Sequence, residues 1–93
     1  MDTREGNLIA DNCELAGLSR NHVVVGAKQL RKALSAGRAR RVYLAKNADP
    51  VLTEHLEALC QKNSVEYAWV KSMTDLGRAC GIEVGAAAAA VVA

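Results

Sequence analysis

The sequence predicts an α/β protein: a three-layer α/β/α sandwich on a four-stranded mixed sheet, with elements in α-β-α-β-α-β-α-β order. Three observations predict it. Short β-branched or apolar runs (Val23–Val25, Arg41–Lys46, Val65–Val70) alternate with stretches whose apolar residues recur every three or four positions. The Arg41–Lys46 run carries apolar residues on both faces, which marks a strand covered on both sides. Turn and cap residues (Gly26, Gly37, Asp49-Pro50, Ser72, Gly81) fall between the runs rather than inside them. At 93 residues the chain suffices for one domain with its own core, residues 1–93, and no repeat or linker divides it.

Taken in order, Gly6 to Leu18 carries Leu8, Ile9, Ala10, Cys13, Leu15, Ala16 and Leu18 at helical spacings, an amphipathic helix ending in a Ser19–Asn21 link. Val23–Val25 reads as a buried strand, and Gly26 ends it. In the helix that follows, Ala27, Leu30, Ala33 and Leu34 share one side, while Lys28, Arg31, Lys32 and Ser35 share another; Gly37 stops it in a left-handed cap. After the Arg41–Lys46 strand, Asp49 is an N-cap and Pro50 a first helical residue. That helix runs to about Lys62 with Val51, Leu52, Leu56, Leu59 and Cys60 inward and His55 at its surface. In the Val65–Val70 strand, Tyr67 and Trp69 share a face with Val65 and read as core. With three aromatic residues in the chain, a surface platform for stacking bases is excluded. Ser72-Met73-Thr74-Asp75 has capping-box spacing and opens a short helix containing Met73, Leu76 and Ala79, closed by Gly81. Composition alone makes Ala86–Ala93 a helix. Its Val91-Val92 end and lack of any polar face predict a buried strand instead.

Composition removes several classes of function. No apolar run is long enough to cross a membrane. The first five residues include the charged Asp2, Arg4 and Glu5 and lack the apolar core of a signal peptide, so a cytoplasmic protein is expected. Cys13, Cys60 and Cys80 are odd in number and far apart, with no C-x-x-C pair; they read as free thiols, and neither metal nor cofactor is expected. There is no Ser/His/Asp set and no close carboxylate pair, and Asp49 and His55 lack a third partner, so catalysis is not expected. Charge is more informative. Net charge is +2, yet the eight cations Arg20, Lys28, Arg31, Lys32, Arg38, Arg40, Arg41 and Lys46 lie in a stretch with no acid between Glu14 and Asp49. Such a patch, coinciding with a helix start, favours nucleic acid over a merely solvated face.

Two constellations carry the candidate chemistry. In Gly26-x-Lys28-Gln29-x-x-Lys32, the glycine lets a ligand approach the backbone, and Lys28 and Gln29 stand in the first helical turn. Gln both donates and accepts, as a base edge requires, and Lys32 suits a phosphate. In Leu76-Gly-Arg-Ala-Cys-Gly-Ile-Glu-Val-Gly85, a helix end leads into an apolar loop where Ile82 and Val84 either hold an unstacked base or plug the core.

These stretches, V-V-G-A-K-Q-x-x-K-A-L, A-K-N-A-D-P at Ala45–Pro50 and L-G-R-A-C-G-I-E-V-G, resemble the kink-turn RNA-binding ribosomal-protein family, especially its small bacterial members. The resemblance covers about Val23 to the C-terminus and leaves the segment before Arg20 outside. It implies the sandwich already predicted and a non-catalytic protein that recognises kink-turns, RNA helices sharply bent beside tandem sheared G·A pairs. It implies that Lys28 and Gln29, beside Gly26, read those pairs, with Lys32 and Arg31 on phosphates. It also implies that Asp49 and the loop of Ile82, Glu83 and Val84 border the pocket of an extruded base. Many family members have Asn-Glu where this chain has Lys28-Gln29, the form of one ribosomal branch and of bacterial relatives. The expected partner is ribosomal RNA or a structured leader such as a riboswitch, with no small-molecule substrate. The alternative is a protein-interaction module of the same fold that uses the basic face.

Overall fold

The computed structural model describes residues 22–92. The helix expected over Gly6–Leu18 and Cys13 within it lie outside the described residues, as does Ala93. From there the elements follow in the expected alternation: β1 (Val23–Val25), α1 (Ala27–Ser35), β2 (Ala39–Ala45), α2 (Pro50–Lys62), β3 (Glu66–Val70), α3 (Met73–Ala79) and β4 (Ala88–Val92). The strands form one mixed sheet in the order β1-β4-β2-β3. β4 runs antiparallel to both β1 and β2, and β2 runs parallel to β3. Hence β1, β2 and β3 all point the same way, and the helices that follow them all start at one end of the sheet.

Alternation along the strands sends side chains to two cores. Val42, Leu44, Ala88, Ala90 and Val92 meet Leu30, Ala33, Leu34, Leu56 and Cys60 under α1 and α2. Tyr43, Ala45, Ala68, Val70 and Ala89 meet Leu76 under α3. β4 is central, covered on both faces and fully buried at Ala88, Ala89 and Ala90. This is why an alanine tail with high helix propensity pairs as a strand: its backbone bonds go to two neighbours, and its small side chains admit helices on either face. Tyr67 and Trp69 are half-buried against the α1/α2 core, ring edge to ring face at 6.4 Å. The Tyr67 hydroxyl donates to Glu57 Oε2 at 2.7 Å and accepts from Gln61 Nε2 at 3.3 Å.

The ends of all three described helices follow one rule. After α1, the N–H of Gly37 donates to Leu34 O at 3.1 Å and that of Arg38 to Ala33 O at 2.9 Å, a Schellman closure with Gly37 at φ +71°. Gly81 closes α3 the same way at φ +82°. At the end of α2 the left-handed position is filled by Ser64, at φ +57°. Asp49 caps α2 through Oδ1, which accepts from Val51 N at 3.0 Å, and Ser72 caps α3 by accepting from Asp75 N at 3.1 Å.

Two expectations need correction. Val23–Val25 is half-buried rather than buried, because β1 is an edge strand with β4 as its sole described neighbour. Val51 is 75% exposed, whereas Thr53, not expected inside, is buried. Thr53, Leu56 and Cys60 form the buried stripe of α2, and Val51 falls about 200° around the helix from Thr53 and faces outward; Thr53 satisfies its hydroxyl by donating to Pro50 O at 3.2 Å.

Candidate nucleic-acid interface

The sheet's carboxyl end assembles the site. Gly26 leaves β1 with its N–H donating to Ala88 O at 2.9 Å, which anchors the start of α1 to the central strand. Its φ and ψ of +102° and +150° lie in a region open essentially to glycine alone. No other residue turns the chain there without strain, so the spacing from β1 to Lys28 and Gln29 depends on it. Gly26 also has no side chain to cap the helix, and the first turn contains no acid. Of the three helices that start at this end, α2 and α3 carry their own side-chain caps and α1 does not. Its first-turn N–H groups and the positive end of its dipole are therefore left for an external acceptor.

Around that opening, Lys28, Gln29, Arg31 and Lys32 are all exposed. A shallow depression runs along the outer face of α1, lined by Lys28, Arg31, Lys32, Ser35 and Ala36. None of these cations forms an ion pair among the described residues. Arg41, also counted in the basic stretch, is different: its guanidinium lies over the Tyr43 ring at 5.5 Å and meets Glu66 at 3.4 Å.

The second wall is the loop between α3 and β4. Ile82 N–H donates to Gly77 O at 3.0 Å and Ala86 N–H to Met73 O at 2.9 Å, so the loop doubles back along α3. Within it Ile82 is half-buried against the α3-side core, Glu83 is exposed, and Val84 is 71% exposed. The two apolar residues thus divide the roles left open by the sequence: Ile82 plugs, Val84 projects. Asp49, from the β2–α2 loop, lies at the same end of the sheet, but one of its oxygens is held by its helix cap.

The residues that hold these walls together were not among the candidates. Asn47 Oδ1 accepts from Met73 N at 2.8 Å, tying the Asp49 loop to the start of α3 across 26 positions of chain. Gly77 is buried, and a Cβ there would overlap the Val84 carbonyl oxygen. Gly85 likewise brings its backbone to Met73, where a Cβ would stand 3.1 Å from Met73 Cβ. All three stand inside the stretches that carry the family resemblance, but locally their signals are no more than glycines in and after a short helical pattern and an asparagine beside a cap.

The chain is similar to known proteins in sequence and in fold. It is 46% identical over 70 residues to an RNA-binding protein of Bacillus pumilus, a match covering 75% of this chain and 85% of that one. It is 40% identical over 75 residues to the RNA-binding protein YbxF of Geobacillus stearothermophilus, covering 81% and 92%. A Giardia lamblia 15.5 kD RNA-binding protein superposes with a TM-score of 0.78 at 26% identity, over 100% of this chain and 84% of that one. A sequence model of the ribosomal protein L7Ae/L30e/S12e/Gadd45 family matches residues 9–93, which takes the likeness further toward the N-terminus than the motifs alone had carried it. With the match spanning nearly the whole chain and the sheet and helices falling in the same places, the chain belongs to the L7Ae/L30e/S12e/Gadd45 ribosomal-protein family.

Proposed function

We propose that this protein is a non-catalytic, cytoplasmic RNA-binding module that recognises kink-turns, in ribosomal RNA or in a structured leader RNA. The observation that carries the reading is the uncapped start of α1, where Lys28 and Gln29 stand exposed beside a glycine-only turn. A regular A-form groove hides its base edges from side chains, whereas a bent, splayed RNA exposes them. Gln29 offers a donor and an acceptor to the edge of a sheared G·A pair, and Lys28 adds a charged donor. Lys32 and Arg31, one turn on, meet phosphates. Val84 supplies an apolar surface for an extruded base at the opposite wall. The protein then acts by binding the bent conformer better than the straight one, which draws the RNA's folding equilibrium toward the kink.

Gel-shift titration tests this with a kink-turn hairpin and the same hairpin carrying Watson–Crick pairs in place of its G·A pairs. Tight binding to the first and loss on the second is the expected result. Gln29→Ala weakens binding to the first by roughly tenfold to a hundredfold, since one bidentate base contact contributes about 1–3 kcal/mol. Equal binding to both hairpins reduces the surface to a general cationic face, and binding to neither shifts the function to a protein partner.

A further inference from the structure

Among the described residues, nothing in the fold engages Arg38 or Arg40. Both are exposed, and neither forms an ion pair or side-chain hydrogen bond among the described residues. A cation just after a helix commonly serves its last carbonyls, but those of Ala33 and Leu34 already accept from the backbone N–H groups of Arg38 and Gly37. Arg40 owes its position to a β-bulge: Ala39 pairs with Val92 and Arg41 with Val91, which leaves Arg40 as an extra residue in β2. The bulge breaks strand alternation here, since Ala39 and Val42 both pack on the α1/α2 core; Arg40 stands exposed at this break, just after the end of α1, while Arg41 lies beside Tyr43. Both arginines therefore stand exposed just beyond the C-terminus of α1, whose outer face carries Lys28, Arg31 and Lys32. No acidic residue interrupts the sequence from Lys28 to Arg40. β2 separates them from the sheet end that holds Gly26 and Asp49, a distance of about 20 Å at ~3.3 Å per residue.

Resting on the kink-turn reading of the α1 start, we propose that Arg38 and Arg40 form a distal phosphate contact for the duplex that flanks the kink. This contact makes full affinity depend on stem length. A minimal hairpin fills the site at Gly26, Lys28 and Gln29 and stops short of the arginines; an extended stem lies along α1 and reaches them. Guanidinium groups suit the task because their planar fork takes phosphate oxygens in pairs.

The experiment compares wild type, an Arg38→Gln/Arg40→Gln double variant and an Arg38→Lys/Arg40→Lys double variant on one short and two extended hairpins. These share one kink-turn and differ only in having short or extended flanking stems, each stem being lengthened in turn. Wild type binds one extended hairpin more tightly than the short one. Its affinity for the extended hairpin also falls about tenfold further between about 50 and about 200 mM salt, as two additional phosphate contacts require. The glutamine variant binds the short hairpin as wild type does and loses the extra affinity and salt dependence on the extended one; the lysine variant restores most of both. No stem-length effect in wild type, or an equal loss by the glutamine variant on the short and extended hairpins, overturns the distal contact and leaves the kink-turn reading standing. Failure of wild type to bind even the short hairpin overturns both.

Discussion

A single added methyl group at Gly77 should disturb the site without altering any candidate residue in it. The loop from Gly81 to Gly85 lies so close on α3 that a Cβ at Gly77 would overlap the Val84 carbonyl oxygen and stand 3.1 Å from Val84 C and Gly85 Cα. All three are backbone atoms, and the loop is fastened on either side by the bonds from Ile82 N to Gly77 O and from Ala86 N to Met73 O. Restoring ordinary contact, at ~3.5–4.0 Å between carbon atoms, requires the loop to move by about 1 Å or more. Overpacking of this kind costs about 1–3 kcal/mol. Replacing glycine by alanine inside a helix offsets it by about 1 kcal/mol. Gly77→Ala therefore lowers the unfolding free energy by up to ~2 kcal/mol, seen in urea as a lower midpoint at unchanged slope. It also displaces Val84, so affinity for a kink-turn hairpin falls even under conditions where the variant is fully folded. A Gly77→Ala protein as stable as wild type and equal to it in RNA affinity would refute the claim that this glycine sets the position of the loop.

Three further outcomes follow from backbone geometry and burial. Gly26→Ala meets no atom within 4 Å of its new Cβ, so its cost is conformational alone; a loss of about 1–3 kcal/mol in thermal or urea unfolding is expected, with weakened RNA binding. Ser64→Gly relieves a left-handed non-glycine residue at the close of α2 and raises stability by roughly 0.5–1 kcal/mol without altering RNA affinity, as the same two assays will record. Cys60 is buried beneath α2, and this burial, with a smaller contribution from Glu57, pushes its thiol up from 9.0 to about 11. The folded state thus holds this proton more tightly than the unfolded one. The resulting stabilisation is complete below pH 9 and is lost as pH rises through about 11. Unfolding free energies of wild type and Cys60→Ala should draw together over that range.

What could be read in advance, and what could not, divides at the distance over which a residue acts. The caps at Asp49, Ser72, Gly37 and Gly81 are local transactions within a turn of helix, and each bonds as its residue type requires. The two-sided burial of Val42–Ala45 is likewise written into consecutive apolar residues. The position of β1 at the edge is different: it results from β4, the last strand in the chain, inserting between β1 and β2, and no pattern within Val23–Val25 encodes a neighbour almost seventy positions away. Val51 is exposed for a local reason: it stands about 200° around α2 from Thr53, opposite the stripe of Thr53, Leu56 and Cys60 that packs inward. The candidate site shows the same division. Lys28 and Gln29 stand out because a glycine, a helix start and an acid-free stretch coincide within a few residues. Arg41 belongs to the same stretch, yet its guanidinium is engaged by Tyr43 and by Glu66, 25 positions on. Exposure and pairing, rather than the count of basic residues, therefore decide which cations remain for a ligand. On that criterion the cationic surface extends from Lys28 along α1 to Arg38 and Arg40 and excludes Arg41.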